Sequence, residues 1–79
     1  MTTAEQILVA VGGADNVATL THCWARLRFE LRDADVVDEA SIDALPDVAL
    51  VVTQHGQFQV AMRARLLEVY DELVALLDR

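Results

Sequence analysis

The sequence predicts an α+β fold, a two-layer sandwich in αββαββα order whose four-stranded antiparallel sheet carries helices on one face. Three observations lead there. Apolar residues recur at helical spacing near both ends of the chain and briefly in its middle. Two pairs of β-rich, alternating segments lie between them. Glycine, proline and Asp-Asn punctuation separates the segments, and helices interleaved with hairpins must bury one helix stripe against one sheet face.

Thr3, with Gln6 three residues later, forms a capping-box pattern, and Ile7, Leu8 and Val11 follow at helical spacing before Gly12-Gly13 ends the helix. Asp15-Asn16 is turn chemistry. Residues 17–23 and 26–32 are rich in β-formers and alternate in polarity, so they are expected as two strands. Asp38 is placed to cap a short helix carrying Ile42 and Leu45, stopped by Pro46 because proline disfavours helical geometry in the residue before it. Residues 48–53 and 57–62 read as a second hairpin about Gly56, in which Phe58, Val60 and Met62 alternate with Gln57, Gln59 and Ala61. From about Arg65 to Leu77, a broad stripe including Leu66, Val69, Tyr70, Leu73 and Leu77 marks a last helix. Residues 1–79 show no linker or repeat and are expected as a single domain.

With 79 residues, 54% hydrophobic and 24% charged, the chain holds enough apolar side chains for one core and leaves room only for a shallow site. A net charge of -7 argues against a nucleic-acid backbone or an anionic lipid surface as partner. The longest apolar runs, at 7–11 and 48–52, are far shorter than the roughly 20 residues that span a bilayer. The start of the chain lacks a secretory pattern, and one cysteine forms no internal disulfide, so a cytoplasmic setting and a monomer are expected. His22, His55 and Cys23 are too few, and wrongly spaced, for a zinc site; neither metal nor cofactor is implied.

The positive charges are concentrated. All six basic residues are arginine, and Arg26, Arg28 and Arg32 follow the single cysteine closely. If Trp24-Ala25 joins the first two strands, His22 lies opposite Leu27 and Cys23 opposite Arg26. Period-two alternation then puts Ala18, Leu20, His22, Leu27, Phe29 and Leu31 on the face under the helices. Thr21, Cys23, Arg26, Arg28, Glu30 and Arg32 fall on the open face. Slipping the register by one residue would bury the arginines. A free thiol ionises near 8.5, and two guanidinium groups beside it would favour the thiolate, with turn N–H groups adding donors. The same groups suit phosphoryl oxygens, because arginine is a planar multi-donor fork. His22 is expected to pack in the core and His55 to be exposed. Tyr70 belongs to the helical stripe, and the acidic residues of 33–43 form a solvated face.

The string Leu20-Thr21-His22-Cys23-Trp24-Ala25-Arg26-Leu27-Arg28-Phe29 resembles the phosphorylation site of the IIB domain of the glucose and β-glucoside (sucrose) group of the bacterial sugar phosphotransferase system. Gly12-Gly13, Asp15-Asn16-Val17, residues 54–60 and residues 69–73 extend the resemblance over nearly the whole chain. It implies a cytoplasmic phosphocarrier, associated with the membrane only through a partner. Its cysteine takes a phosphoryl group from a IIA histidine and delivers it to sugar bound by a membrane-embedded IIC domain. By that match Cys23 is the phosphorylated nucleophile, Arg26 and Arg28 serve phosphoryl transfer, and Thr21, Trp24, Ala25, Gln57 and Gln59 belong to the phosphate and partner surface. Ala25 stands where the family often has threonine, Trp24 replaces a smaller residue, and Arg63 and Arg65 fall where glycine and a short loop are usual.

Rival thiol chemistries fit less well. A cysteine phosphatase loop would need arginine at position 29, which is Phe29, and a thioredoxin-like pair would need a second cysteine where Arg26 stands. An arginine-activated redox sensor is chemically allowed. The alternative from a different class is a non-enzymatic regulatory or interaction module, or a degenerate IIB-like domain, whose open sheet face binds an acidic or phosphorylated partner.

Overall fold

The computed structural model describes residues 1–78. The expected order is present: α1 (Thr3–Ala10), β1 (Val17–His22), β2 (Arg26–Leu31), α2 (Glu39–Asp43), β3 (Val48–Gln54), β4 (Gln57–Met62) and α3 (Leu66–Leu76). The strands form one antiparallel sheet in the order β1-β2-β4-β3, so the two hairpins meet through β2 and β4 at its centre. No helix of the described residues is long and apolar enough to cross a membrane.

One face of the sheet carries the core. Leu27 and Phe29 of β2 and Phe58 and Val60 of β4 pack beneath Ile7 and Val11 at the first helix, Ile42 of α2, and Val69 and Leu73 of α3. Phe29 and Phe58 are register partners, with ring centroids 6.4 Å apart. These side chains fix which way the strands face, and therefore which residues are left on the other side.

Four local details differ from the sequence expectation. The capping box is Thr2 and Glu5, not Thr3 and Gln6: Thr2 Oγ1 accepts from the Glu5 N–H at 3.1 Å and Glu5 Oε1 from the Thr2 N–H at 2.8 Å. A carboxylate makes the stronger reciprocal bond and favours a helix N-terminus, so the charged pair wins over the neutral one. In β1 the register shifts between Val17 and Thr19, so Val17 enters the core and Ala18 is exposed. His22 is exposed rather than buried in the core; its ring meets Tyr70 edge-on at 4.4 Å, and Nδ1 lies 3.0 Å from the Cys23 carbonyl oxygen. It sits at the end of β1, where α3 covers only one side of the ring. Arg65 precedes α3 with φ of 62°, and its guanidinium bonds Glu68 and Asp47.

The loops are held by specific contacts. Asn16, almost fully buried, donates through Nδ2 to the carbonyls of Val11 and Asp33, and accepts at Oδ1 from the Asp33 N–H. One side chain thus joins the end of α1, the start of β1 and the exit of β2. Gly12 passes it at φ of 105°, where a Cβ would lie 2.8 Å from Asn16 Nδ2. The second hairpin turns through His55 and Gly56, both at positive φ as a two-residue primed turn requires.

Candidate functional site

The site grows from the tip of the first hairpin. His22 pairs with Leu27, Thr21 with Arg28, and the Cys23 N–H donates to the Arg26 carbonyl at 3.0 Å. This is the register in which Cys23 and Arg26 close the hairpin across Trp24-Ala25. The turn is tied on its other side too, because the Met62 N–H at the end of β4 donates to the Ala25 carbonyl at 2.9 Å. Neither turn residue has positive φ among the described residues, so the turn is not a primed one.

In this turn the backbone N–H groups of Ala25 and Arg26 are the ones that act as donors toward a charged Cys23 sulfur. A side-chain acceptor bonding the N–H groups two and three residues ahead is the arrangement of an Asx or Ser/Thr turn, with sulfur in the oxygen's place. Those two bonds are the main cause holding the thiol below its ordinary ionisation range; desolvation opposes them, and the Arg28 guanidinium adds a hydrogen bond and its charge. The N–H groups and the guanidinium each favour the charged form, so the thiol ionises more readily than a free cysteine.

The sequence leads one to expect both arginines at the sulfur, but Arg26 is bonded elsewhere. Arg28, paired with Gln59 and therefore one row farther from the turn, reaches back to Cys23. Arg26, in the turn's own row opposite Ala61, runs the other way: its Nη1 donates to Gln59 Oε1 at 3.0 Å and to Gln54 Oε1 at 3.2 Å. The small Ala61 side chain leaves the path across β4 open. Gln59, only 3% exposed, is itself oriented by a bond from its Nε2 to Gln57 Oε1 at 3.2 Å. The Nε of Arg28 is buried with no hydrogen-bond partner.

The other expected residues sort by distance from the turn. Thr21 is exposed on the open face beside Arg28. Trp24 is 97% exposed at the hairpin tip. Trp24 and Cys23 border a shallow cleft of 610 Å³ with His22 and the residues Arg65, Leu66, Leu67 and Glu68 at the start of α3. Arg32 lies apart: it is at the far end of β2, with Nε bonded to the Asp15 carbonyl at 2.9 Å. Arg63 is likewise engaged, through Nε, with the Val48 carbonyl at 3.3 Å. Two contributors were not singled out from the sequence. Gln54 ends β3 on the same face as Val52, which alternation alone would have revealed. Leu67, 61% exposed, fits the helical stripe by spacing, whose breadth hides that it, like Val74 and Leu76, escapes the core.

Comparison with known proteins bears on the same segment. The family model described as "phosphotransferase system, EIIB" matches residues 5–38. The chain is 46% identical over 72 residues to the trehalose-specific EIIBC component of Bacillus subtilis, covering 90% of this chain and 15% of that protein. It is 41% identical over 76 residues to the glucose-specific EIIBCA component of Corynebacterium glutamicum, covering 95% of this chain and 11% of that one. With the sucrose-specific EIIBC component of Staphylococcus xylosus it shares 41% identity over 71 residues, or 89% and 15% of the two chains. The chain thus spans only a small part of the length of these relatives. Among solved structures, one domain of a phosphotransferase-system IIabc component from Clostridium difficile superposes with a TM-score of 0.79 at 23% identity, over 92% of this chain and 76% of that one. That likeness supports the α+β fold.

Proposed function

The chain belongs to the EIIB family of the phosphotransferase system, and from that premise we propose that residues 1–79 act as one phosphocarrier domain with Cys23 as its phosphorylated residue. The observation that carries the proposal is the sulfur's setting: a partly exposed thiol at a hairpin tip closed by the Cys23–Arg26 pair, with Arg28 on the same face and the Ala25 and Arg26 N–H groups favouring its charged form.

The chemistry follows from that setting. The thiolate attacks the phosphorus of a phosphohistidine on a IIA-type donor whose other ring nitrogen carries a proton; the S–P bond forms as the N–P bond breaks, and the bonding pair returns to the ring, which leaves as neutral imidazole. In the second step a sugar hydroxyl oxygen attacks the same phosphorus. The S–P bond breaks, its electron pair restores the thiolate, and the hydroxyl proton goes to a base of the IIC-type acceptor or to water. A thiolate with a lowered pKa serves both steps, as nucleophile in the first and leaving group in the second. The Ala25 and Arg26 N–H groups act as fixed dipoles that need no rearrangement as charge passes on and off the sulfur. Relatives named EIIBC and EIIBCA join this kind of domain to C and A components, which supports a IIC-type acceptor and a IIA-type donor as partners. In this reading the domain works as a monomer on the cytoplasmic side, held at the membrane through its IIC partner, with Thr21, Trp24, Ala25, Gln57 and Gln59 around the transferring group.

The test is label transfer. Incubated with labelled phosphoenolpyruvate, the general phosphotransferase proteins and a IIA domain, the chain becomes labelled, and Cys23→Ser does not. Label that survives Cys23→Ser overturns the assignment.

A further inference from the structure

Arg26 stands in the closing pair of the hairpin, within side-chain reach of Cys23, yet its guanidinium is bonded to Gln59 and Gln54. The charge that favours the thiolate is that of Arg28. Gln57 in turn fixes the amide of Gln59 so that its oxygen faces Arg26. We infer that Gln54 and Gln59 are positioning residues which park Arg26 away from the resting sulfur and release it to the phosphoryl oxygens once Cys23 is phosphorylated. This rests on the phosphocarrier reading given above.

The physics favours the exchange in one direction. At rest the sulfur carries at most one negative charge, already served by two N–H groups and Arg28. A second guanidinium there would lower the thiol pKa further, and a thiolate's intrinsic nucleophilicity falls with its pKa. A parked Arg26 keeps the nucleophile strong. When the S–P bond forms, three oxygens bearing between one and two negative charges appear on the same face. A phosphoryl group offers the guanidinium an opposite charge and a bidentate fit, which the neutral amides of Gln54 and Gln59 do not, so Arg26 moves from glutamine to phosphoryl group. The two arginines then have separate tasks: Arg28 governs ionisation of the sulfur, and Arg26 answers the added charge. Gln59 holds its place because it is buried in the central strand, and Gln54 because it pairs with Gln57 at the β3–β4 turn.

The resting half is tested by a double-mutant cycle read through the thiolate absorbance of Cys23, the single cysteine. In Gln59→Leu the freed Arg26 falls onto the sulfur and the titration shifts to lower pH; in the Arg26→Met background the same substitution produces no shift. Gln54→Val, at an exposed position on the edge strand, gives a smaller shift of the same sign and serves if Gln59→Leu does not fold. Absence of a shift in both glutamine variants, or a shift that persists without Arg26, overturns the proposal. This cycle needs no phosphorylation, so it stands apart from failure of the carrier reading, which unlabelled parent protein would reveal. The second half is read by NMR of the full chain before and after phosphorylation. The Arg26 guanidinium and Gln59 side-chain amide resonances both move, and the phosphothiol of Arg26→Met hydrolyses faster than that of the parent. Unmoved Arg26 and Gln59 signals in the phosphorylated protein overturn the release.

Discussion

The Met62 N–H donates to the Ala25 carbonyl at 2.9 Å, so the turn that carries Cys23 is bonded to the central strand pair as well as to its own hairpin. Held from both sides, the turn aims the Ala25 and Arg26 N–H groups at the sulfur without needing a side chain to order them. Backbone N–H groups therefore have the larger part in lowering the Cys23 pKa and the Arg28 guanidinium the smaller.

Alkylation of Cys23 should titrate below the range of an unperturbed thiol, because the folded protein favours the thiolate. The sign for stability is the same as for any acid with a depressed folded pKa. The contribution is fully present above the unfolded thiol's pKa and fades as pH falls through the folded value. Iodoacetamide rates against pH, in native and urea-unfolded protein, give the two inflections, with the native one expected at lower pH.

The arginines should separate in the same assay. Arg28→Met raises the inflection, since it removes a hydrogen bond and a charge from the sulfur, while Arg26→Met leaves the resting inflection in place because its guanidinium is bonded elsewhere. Equal upward shifts in both variants would show that the guanidiniums share the sulfur.

Asn16→Ala should destabilise the chain by about 2 kcal/mol in urea unfolding, since it leaves the buried Val11 carbonyl and the partly buried Asp33 carbonyl and N–H without their partner. Gly12→Ala attacks the same joint from the other side: its Cβ would meet Asn16 Nδ2 and Val36 Cγ2 at 2.8 Å, at φ of 105°. It should cost roughly 2–3 kcal/mol. Gly13→Ala has open space at its own positive φ and should cost about 1 kcal/mol, so the difference between the two isolates the steric part.

Trp24 is the single tryptophan and is almost fully exposed at the hairpin tip. Its fluorescence should resemble that of indole in water and shift to the blue when a IIA domain docks against the cleft it shares with Leu67. Leu67→Gln should weaken that docking severalfold, which titration of the emission shift would measure.

What the sequence could reveal follows from how each feature is encoded. Strand faces were legible because Leu27, Phe29, Phe58 and Val60 must share one side, and that requirement carried Cys23, Arg26 and Arg28 to the other. The Asp38 cap was legible because its partner, the Ser41 N–H, is three residues away. The start of α1 was ambiguous because Thr2-Glu5 and Thr3-Gln6 both satisfy the motif, and the charge of the carboxylate decided between them. The shift at Ala18 has no composition signal. The direction of Arg26 depended on Gln54, 28 residues away, and that of His22 on Tyr70 in the last helix. Long side chains choose among partners that only the assembled sheet brings together, and no local pattern records that choice.

The sulfur of Cys23 as carrier is tested most directly by phosphorus NMR of the full chain after incubation with phosphoenolpyruvate, the general phosphotransferase proteins and a IIA domain. The account predicts one new resonance in the phosphothiol range, absent from Cys23→Ser and discharged when a IIC-containing membrane fraction and its sugar are added. A resonance typical of phosphohistidine or a phosphate ester, or none from the folded parent in the presence of active donor, would contradict it.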